Sequence, residues 1–130
     1  MLKRAIVDSS FYIARLRENR DPLEELSAFS DRWELLTCGV VMVEVLRGMK
    51  HPNASQRMAT ALSCMIYVST PNPLWERTHK LAWALDRRGI VMQLTDLVIA
   101  ACALESDAAV LTFDSDFRRV PGLRVLSRLI

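Results

Sequence analysis

No stretch of this 130-residue chain stays apolar for the ~20 residues that a membrane helix needs. The opening residues, MLKRAIVD, hold too short an apolar run for a signal peptide and pass straight into a strand-like segment. A cytoplasmic protein is therefore expected. Cysteine is scarce: Cys38, Cys64 and Cys102 are far apart and odd in number. That fits neither a disulfide framework nor a zinc site, and all three are expected to be packing residues. The two histidines, His51 and His79, stand alone, which argues against a histidine metal centre or a His-assisted nucleophile. Only four glycines are present, and none belongs to a GxxxxGKS/T loop, so a phosphate-cradling nucleotidase is disfavoured. Trp33, Trp75 and Trp83 form no cluster along the chain. They read as packing residues rather than as platforms for stacked bases.

What is present is the composition of an ordinary globular domain, 51% hydrophobic and 25% charged. The length predicts a single domain, residues 1–130, able to bury a sizeable core. Seventeen basic side chains face fifteen acidic ones, for a net charge of +2. Fourteen of the basic residues are Arg. Arg suits bidentate phosphate contacts, although a compositional bias toward Arg produces the same count.

Short apolar runs alternate with helical patterns. Arg4–Val7, Glu34–Cys38, Ile66–Ser69, Ala108–Phe113 and the LRVLS run read as strands. Between them, a short helix follows Asp8, with Ser9 or Ser10 able to cap it. A second is predicted over Pro22–Trp33 and a third over Gly39–Met49. Pro52 and Asn53 break the chain before a helix over Ser55–Met65. Asn72 can cap a helix over Pro73–Arg88, which Gly89 ends. The helix opening near Asp96 is apolar at every position from Leu97 to Leu104, so it is expected to be buried. This alternation predicts an α/β fold: a parallel sheet with helices on both faces and right-handed crossovers.

In such folds the strand C-termini and helix N-termini share one edge, where ligands bind. Asp8 and Asp114 each follow a strand, Asp96 opens a helix, and Glu44 lies in the second turn of another. Each alone can be a helix cap or a turn residue. Glu44 is harder to dismiss, because a charge inside VVMVEVL is costly without compensation. Four acids from four distant segments can converge on the edge. Clustered carboxylates repel, and a hard divalent cation relieves that repulsion while activating water at a phosphoryl centre. Hydrolysis of a phosphodiester is the reaction class expected.

Asp8 in AIVDSSFYI, Glu44 in VVMVEVLRG, Asp96 in LTDLVIAACAL and Asp114 in VLTFDSDF resemble the four acidic motifs of PIN-domain ribonucleases. The resemblance extends over nearly the whole chain. Length and build are most similar to VapC-type toxins of bacterial toxin–antitoxin pairs. It implies a PIN-like three-layer α/β/α sandwich with a central parallel sheet ordered 3-2-1-4-5. It also implies an endoribonuclease dependent on Mg²⁺ or Mn²⁺, acting on tRNA or other structured RNA. Carried over residue by residue, Asp8, Asp96 and Asp114 become metal ligands and Glu44 a ligand or a group that orients the attacking water. Ser10 and Thr112 match supporting polar positions. Asp116, two residues past Asp114, is an additional candidate ligand. Arg47, Arg118 and Arg119 are candidate RNA contacts, with an acid pair or an ordinary solvated surface as the plainer reading of each. Gly39 and Val41 depart from the family pattern, where Ser and Thr are frequent. The implied partners are the RNA substrate, a VapB-like antitoxin and a second copy of the chain in a homodimer. Operator DNA is reached only through the antitoxin, and no membrane is involved.

Two other classes compete. A degenerate PIN domain that binds RNA or assembles without cutting would have less need of all four acids. A phosphatase with an aspartyl nucleophile would carry DxD after the first strand, where Ser10 occupies the second position.

Overall fold

The computed structural model describes residues 1–130. Five short strands form one sheet: β1 (Lys3–Val7), β2 (Trp33–Cys38), β3 (Ile66–Val68), β4 (Ala109–Leu111) and β5 (Val125–Leu126). Their spatial order is β3-β2-β1-β4-β5, and every pairing is parallel. Six helices connect them: α1 (Ser9–Arg17), α2 (Pro22–Ser27), α3 (Gly39–Arg47), α4 (Pro52–Ser63), α5 (Asn72–Arg87) and α6 (Leu94–Glu105). A 3-10 turn, Ser115–Arg119, follows β4. The chain moves outward from β1 to β3, then returns to β4 on the other side of β1. Right-handed crossovers place α5 and α6 on the face opposite α1 to α4. The reversal leaves a crevice between the ends of β1 and β4.

The core is built as the hydrophobic pattern requires. β1 buries Ala5, Ile6 and Val7, and β4 buries all three of its residues, as central strands covered on both faces do. Seven consecutive residues of α6, Leu97–Ala103, are buried between the sheet and α5. Their small side chains, Ala100, Ala101, Cys102 and Ala103, let the helix approach its neighbours closely.

Several expected boundaries and packing roles shift. Helix α2 stops at Ser27, and polar turns carry the chain into Trp33, which opens β2 rather than closing a helix. Pro52 starts α4 instead of breaking the chain, because proline lacks only an N–H that the first turn leaves free. In α5, Asn72 and Pro73 are the first two helical residues, so Asn72 is not the cap. Gly89 ends that helix as expected, at φ +77°, a conformation costly for other residues. Trp33 is buried, but Trp75 and Trp83 are 43% and 57% exposed. They lie off the stripe of Leu74, Thr78 and Leu85 that α5 buries. Cys38 and Cys102 are buried, whereas Cys64, at the end of α4, is exposed.

Candidate active site

The crevice beside β1 and β4 is a cleft of about 460 Å³, lined by Asp8, Ser9, Ser10, Glu44, Asp96 and Asp114 together with α1 residues, Gln93 and Phe113. Asp8 caps α1, in place of the expected Ser9 or Ser10, and its carboxylate accepts from the Ser10 amide at 3.4 Å. Its own N–H donates to the Leu111 carbonyl at 2.9 Å, fixing the end of β1 against β4. Asp8 is 3% exposed. Such a charge persists only with strong partners.

One partner is a directed chain of hydrogen bonds. The Phe113 amide donates to Ser10 Oγ (3.0 Å), and the Asp114 amide donates to Thr112 Oγ1 (2.9 Å). Thr112 donates its hydroxyl hydrogen to Asp8 Oδ2 at 2.8 Å. Ser10 and Thr112 stand 3.1 Å apart. Because the Thr112 hydrogen is committed to Asp8, Ser10 is the donor in that pair. Each donor therefore points toward the carboxylate and fixes its position at the end of β1. Oδ1 of Asp8, in contrast, is buried with no hydrogen-bond partner. It belongs to a residue that lines the acidic cleft, and a buried carboxylate oxygen without a partner is one that a cation could satisfy.

Asp96 lies in the first turn of α6, where Gln93 is the cap. Burial, and then the charges of Asp8, Asp114, Glu44 and Asp116, push its carboxyl up to about 7. Asp114 caps the 3-10 turn by accepting from the Asp116 amide at 2.9 Å. One oxygen from each of Asp96, Asp114 and Asp116 lies within 4.8 Å of the others, a group able to hold a metal ion. Glu44 reaches the cleft from α3, where its Oε1 accepts from Ser9 Oγ at 3.1 Å. Burial raises its carboxyl above the usual range, the Ser9 bond opposes the rise, and the Asp8 charge adds to it. The donor set is all oxygen, which suits a hard divalent cation such as Mg²⁺ or Mn²⁺.

The structure thus brings Asp8, Glu44, Asp96, Asp114, Asp116, Ser10 and Thr112 to one place. Arg47, Arg118 and Arg119 are exposed and stand outside the cleft lining. Arg47 forms no ion pair, although its charge is felt by Glu44. Six lining residues were not foreseen: Ser9, Ile13, Ala14, Arg17, Gln93 and Phe113. Ser9 was legible only as a cap. Gly39 opens α3 where relatives of the motif carry Ser. A Cβ there would come 3.2 Å from the Tyr67 hydroxyl, so β3 crowds that position.

Comparison with known proteins gives concordant results. The PIN-domain family profile matches residues 5–123. Ribonuclease VapC21 of Mycobacterium tuberculosis is 29% identical over 127 residues, covering 95% of this chain and 90% of that protein. Among solved structures, VapBC2 from Rickettsia felis bound to a promoter DNA fragment superposes with a TM-score of 0.80 at 18% identity. The match covers 95% of this chain and 97% of that one. VapC20 of Mycobacterium tuberculosis, described as a sarcin–ricin loop cleaving toxin, gives 0.66 at 18% identity, over 90% and 95% of the two chains. At these identities the solved structures speak to the fold.

Proposed function

We propose that this chain, which belongs to the PIN-domain family, is the endoribonuclease toxin of a toxin–antitoxin pair. It hydrolyses RNA phosphodiesters, in tRNA or other structured RNA, with Mg²⁺ or Mn²⁺ in the acidic cleft. The observation that carries this reading is the shared cleft: Asp8, Glu44, Asp96 and Asp114 line it from four distant segments, and Asp96, Asp114 and Asp116 stand close enough together to hold one ion. Its partners are the RNA, a VapB-like antitoxin and a second copy of the chain, with operator DNA met through the antitoxin. The place of action is the cytoplasm. No helix is long and apolar enough to cross a membrane.

Asp8, Asp96 and Asp114 would hold the cation, with Asp116 completing the set. A bound divalent cation supplies Lewis acidity and a lowered pKa for water. The side chains do the rest. Thr112 holds the Asp8 carboxylate in place, and Ser10 braces Thr112. Asp96, whose carboxyl burial and the neighbouring acids push up to about 7, would have to be deprotonated to hold a cation. Glu44, fixed by Ser9, orients the attacking water and accepts its proton. Its raised affinity for protons suits it to that task. Arg47, Arg118 and Arg119 meet RNA phosphates outside the cleft.

The test is cleavage of total tRNA and rRNA by antitoxin-free protein, with Mg²⁺, with Mn²⁺ and with chelator, beside Asp96→Asn. Metal-dependent cleavage lost in the variant is expected. A folded wild type that binds Mn²⁺ yet cuts neither RNA would instead favour a PIN module that binds without cutting.

A further inference from the structure

Phe113 stands between two site residues, Thr112 and Asp114, yet 42% of it is exposed. Phe11 and Phe117 are buried, so the fold had the means to hide an aromatic ring and did not hide this one. The ring is also held still. Phe11 packs against it at 5.6 Å between centroids, tilted 38°. The Arg15 guanidinium lies 4.9 Å from its centroid and 5.1 Å from that of Phe11. Glu25 fixes Arg15 through bonds of 2.7 and 3.2 Å. The Phe113 amide is tied to Ser10 Oγ. The remaining surface of the ring opens onto the acidic cleft. The result is a rigid apolar wall in a site that is otherwise carboxylate and hydroxyl.

A second observation lies on α1. Arg15 and Arg20 are both paired with Glu18 and Glu25. Arg17 lies between them, exposed and without an ion pair, and lines the same cleft. Ser10 and Arg17 are seven residues apart, two turns along one helix face. A free guanidinium and a fixed π face therefore border the same group of acids. Small apolar ligands would not need the first, and inorganic anions would not use the second.

We propose that Phe113 and Arg17 form a nucleotide subsite of the cleft, in which one RNA base stacks on the Phe113 ring and a phosphate of the same strand meets Arg17. This rests on the ribonuclease reading and adds the residues that grip the substrate beside the bond to be cut. Stacking requires the base to leave any helical stack, since a paired base presents no free face to a side chain. The preorganised ring and its Arg15 backing place the strand while the acids act on the backbone.

The test uses a short mixed-sequence single-stranded RNA with one 2-aminopurine, in an Asp8→Asn background that prevents cleavage during binding. Quenching of the fluorophore by the protein is expected. Phe113→Trp should retain it. Phe113→Leu, which keeps the packing against Phe11, should abolish it and weaken binding roughly 5- to 100-fold, with an unchanged melting temperature. Arg17→Gln should weaken binding whichever base carries the label, and reduce the slope of log affinity against log salt by about one. Wild-type quenching and affinity in Phe113→Leu, or no quenching by the parent protein, would overturn the subsite. Cleavage rates with Asp8 restored separate the two readings. Cleavage that is equal in wild type and Phe113→Leu keeps the nuclease and removes the platform. Quenching without any cleavage by the wild type does the reverse.

Discussion

Thr112 is the residue through which the site is most easily weakened without touching an acid. Its hydroxyl donates to Asp8 and accepts the Asp114 amide, and it is buried. Thr112→Val keeps the shape and removes both bonds together with the one Ser10 donates. Leaving buried polar groups unpaired costs about 1–3 kcal/mol. Loss of the group that orients a ligand typically lowers metal affinity or activity by roughly 10- to 100-fold. Urea denaturation and Mn²⁺ titration of the variant would read the two effects separately. Asp96 makes the opposite case. Its carboxyl binds protons more tightly in the folded chain, up to about 7, than in the unfolded one. Between the ordinary carboxylate range and pH 7 the folded state therefore holds more protons, and stability falls as pH rises through that window. Metal-free protein should melt at a lower temperature at pH 7.5 than at pH 5.5. Asp96→Asn should flatten that difference and raise the melting temperature at the higher pH. A profile unchanged by the substitution would place the destabilising charge elsewhere.

At the scale of the element, α6 both builds the core and delivers Asp96. Its unbroken apolar run made burial legible before any coordinates, and seven consecutive residues are buried. Ile99, fully buried at its centre, is predicted to cost about 2–5 kcal/mol when truncated to Ala. Chemical denaturation checks this, and metal-dependent activity per folded molecule should change less than stability. The same helix shows where reading a sequence stops. Periodicity says which face is buried. It does not say that Asp96 lies inside the first turn rather than at the cap, a shift that follows from Gln93 taking the capping position. In α5 the stripe of Leu74, Thr78 and Leu85 was readable, but tryptophan is so large and apolar that its identity suggested burial. The helix phase puts Trp75 and Trp83 outside. Phe113 was missed for a related reason: nothing in the run AAVLTF distinguishes the residue that leaves the strand from those within it.

At the scale of the whole molecule, the parallel sheet and the convergence of acids were legible from the alternation of strands and helices, whereas the strand order 3-2-1-4-5 was implied only by the family resemblance and is the order found. Strands alternating with helices predict a parallel sheet, and the switch in direction beside β1 places Asp8 and Asp114 across one crevice. The arginines were less legible, since a surface charge carries no periodic signal. Arg17 lines the cleft, whereas Arg47, Arg118 and Arg119 do not. On the proposed reading, convergence of acids also makes the fold sensitive to a divalent cation. Repulsion among Asp8, Glu44, Asp96, Asp114 and Asp116, which raises the Asp96 carboxyl, is relieved on cation binding. At a free concentration 100 times the dissociation constant, binding adds about 2.7 kcal/mol. Mn²⁺ should thus raise the melting temperature, chelator should reverse the rise, and Asp8→Asn should reduce it. Absence of any shift in a protein that still cuts RNA would argue for cutting without a resident cation.

The hydrogen bond from Thr112 to Asp8 joins residues 104 positions apart. It has a consequence for biosynthesis. While the chain is being translated, Asp8 and Glu44 emerge early, with neither Asp96 nor Asp114 beside them. The proposed cutting centre can assemble only after the segment through Asp116 has left the ribosome and β4 has slotted in next to β1. A nuclease built this way would leave the machinery making it uncut until that pairing forms. Ribosome-arrested chains ending near residue 105 should cleave no RNA, while the released protein does. An antitoxin therefore has nothing to capture in the cleft until β4 is in place beside β1.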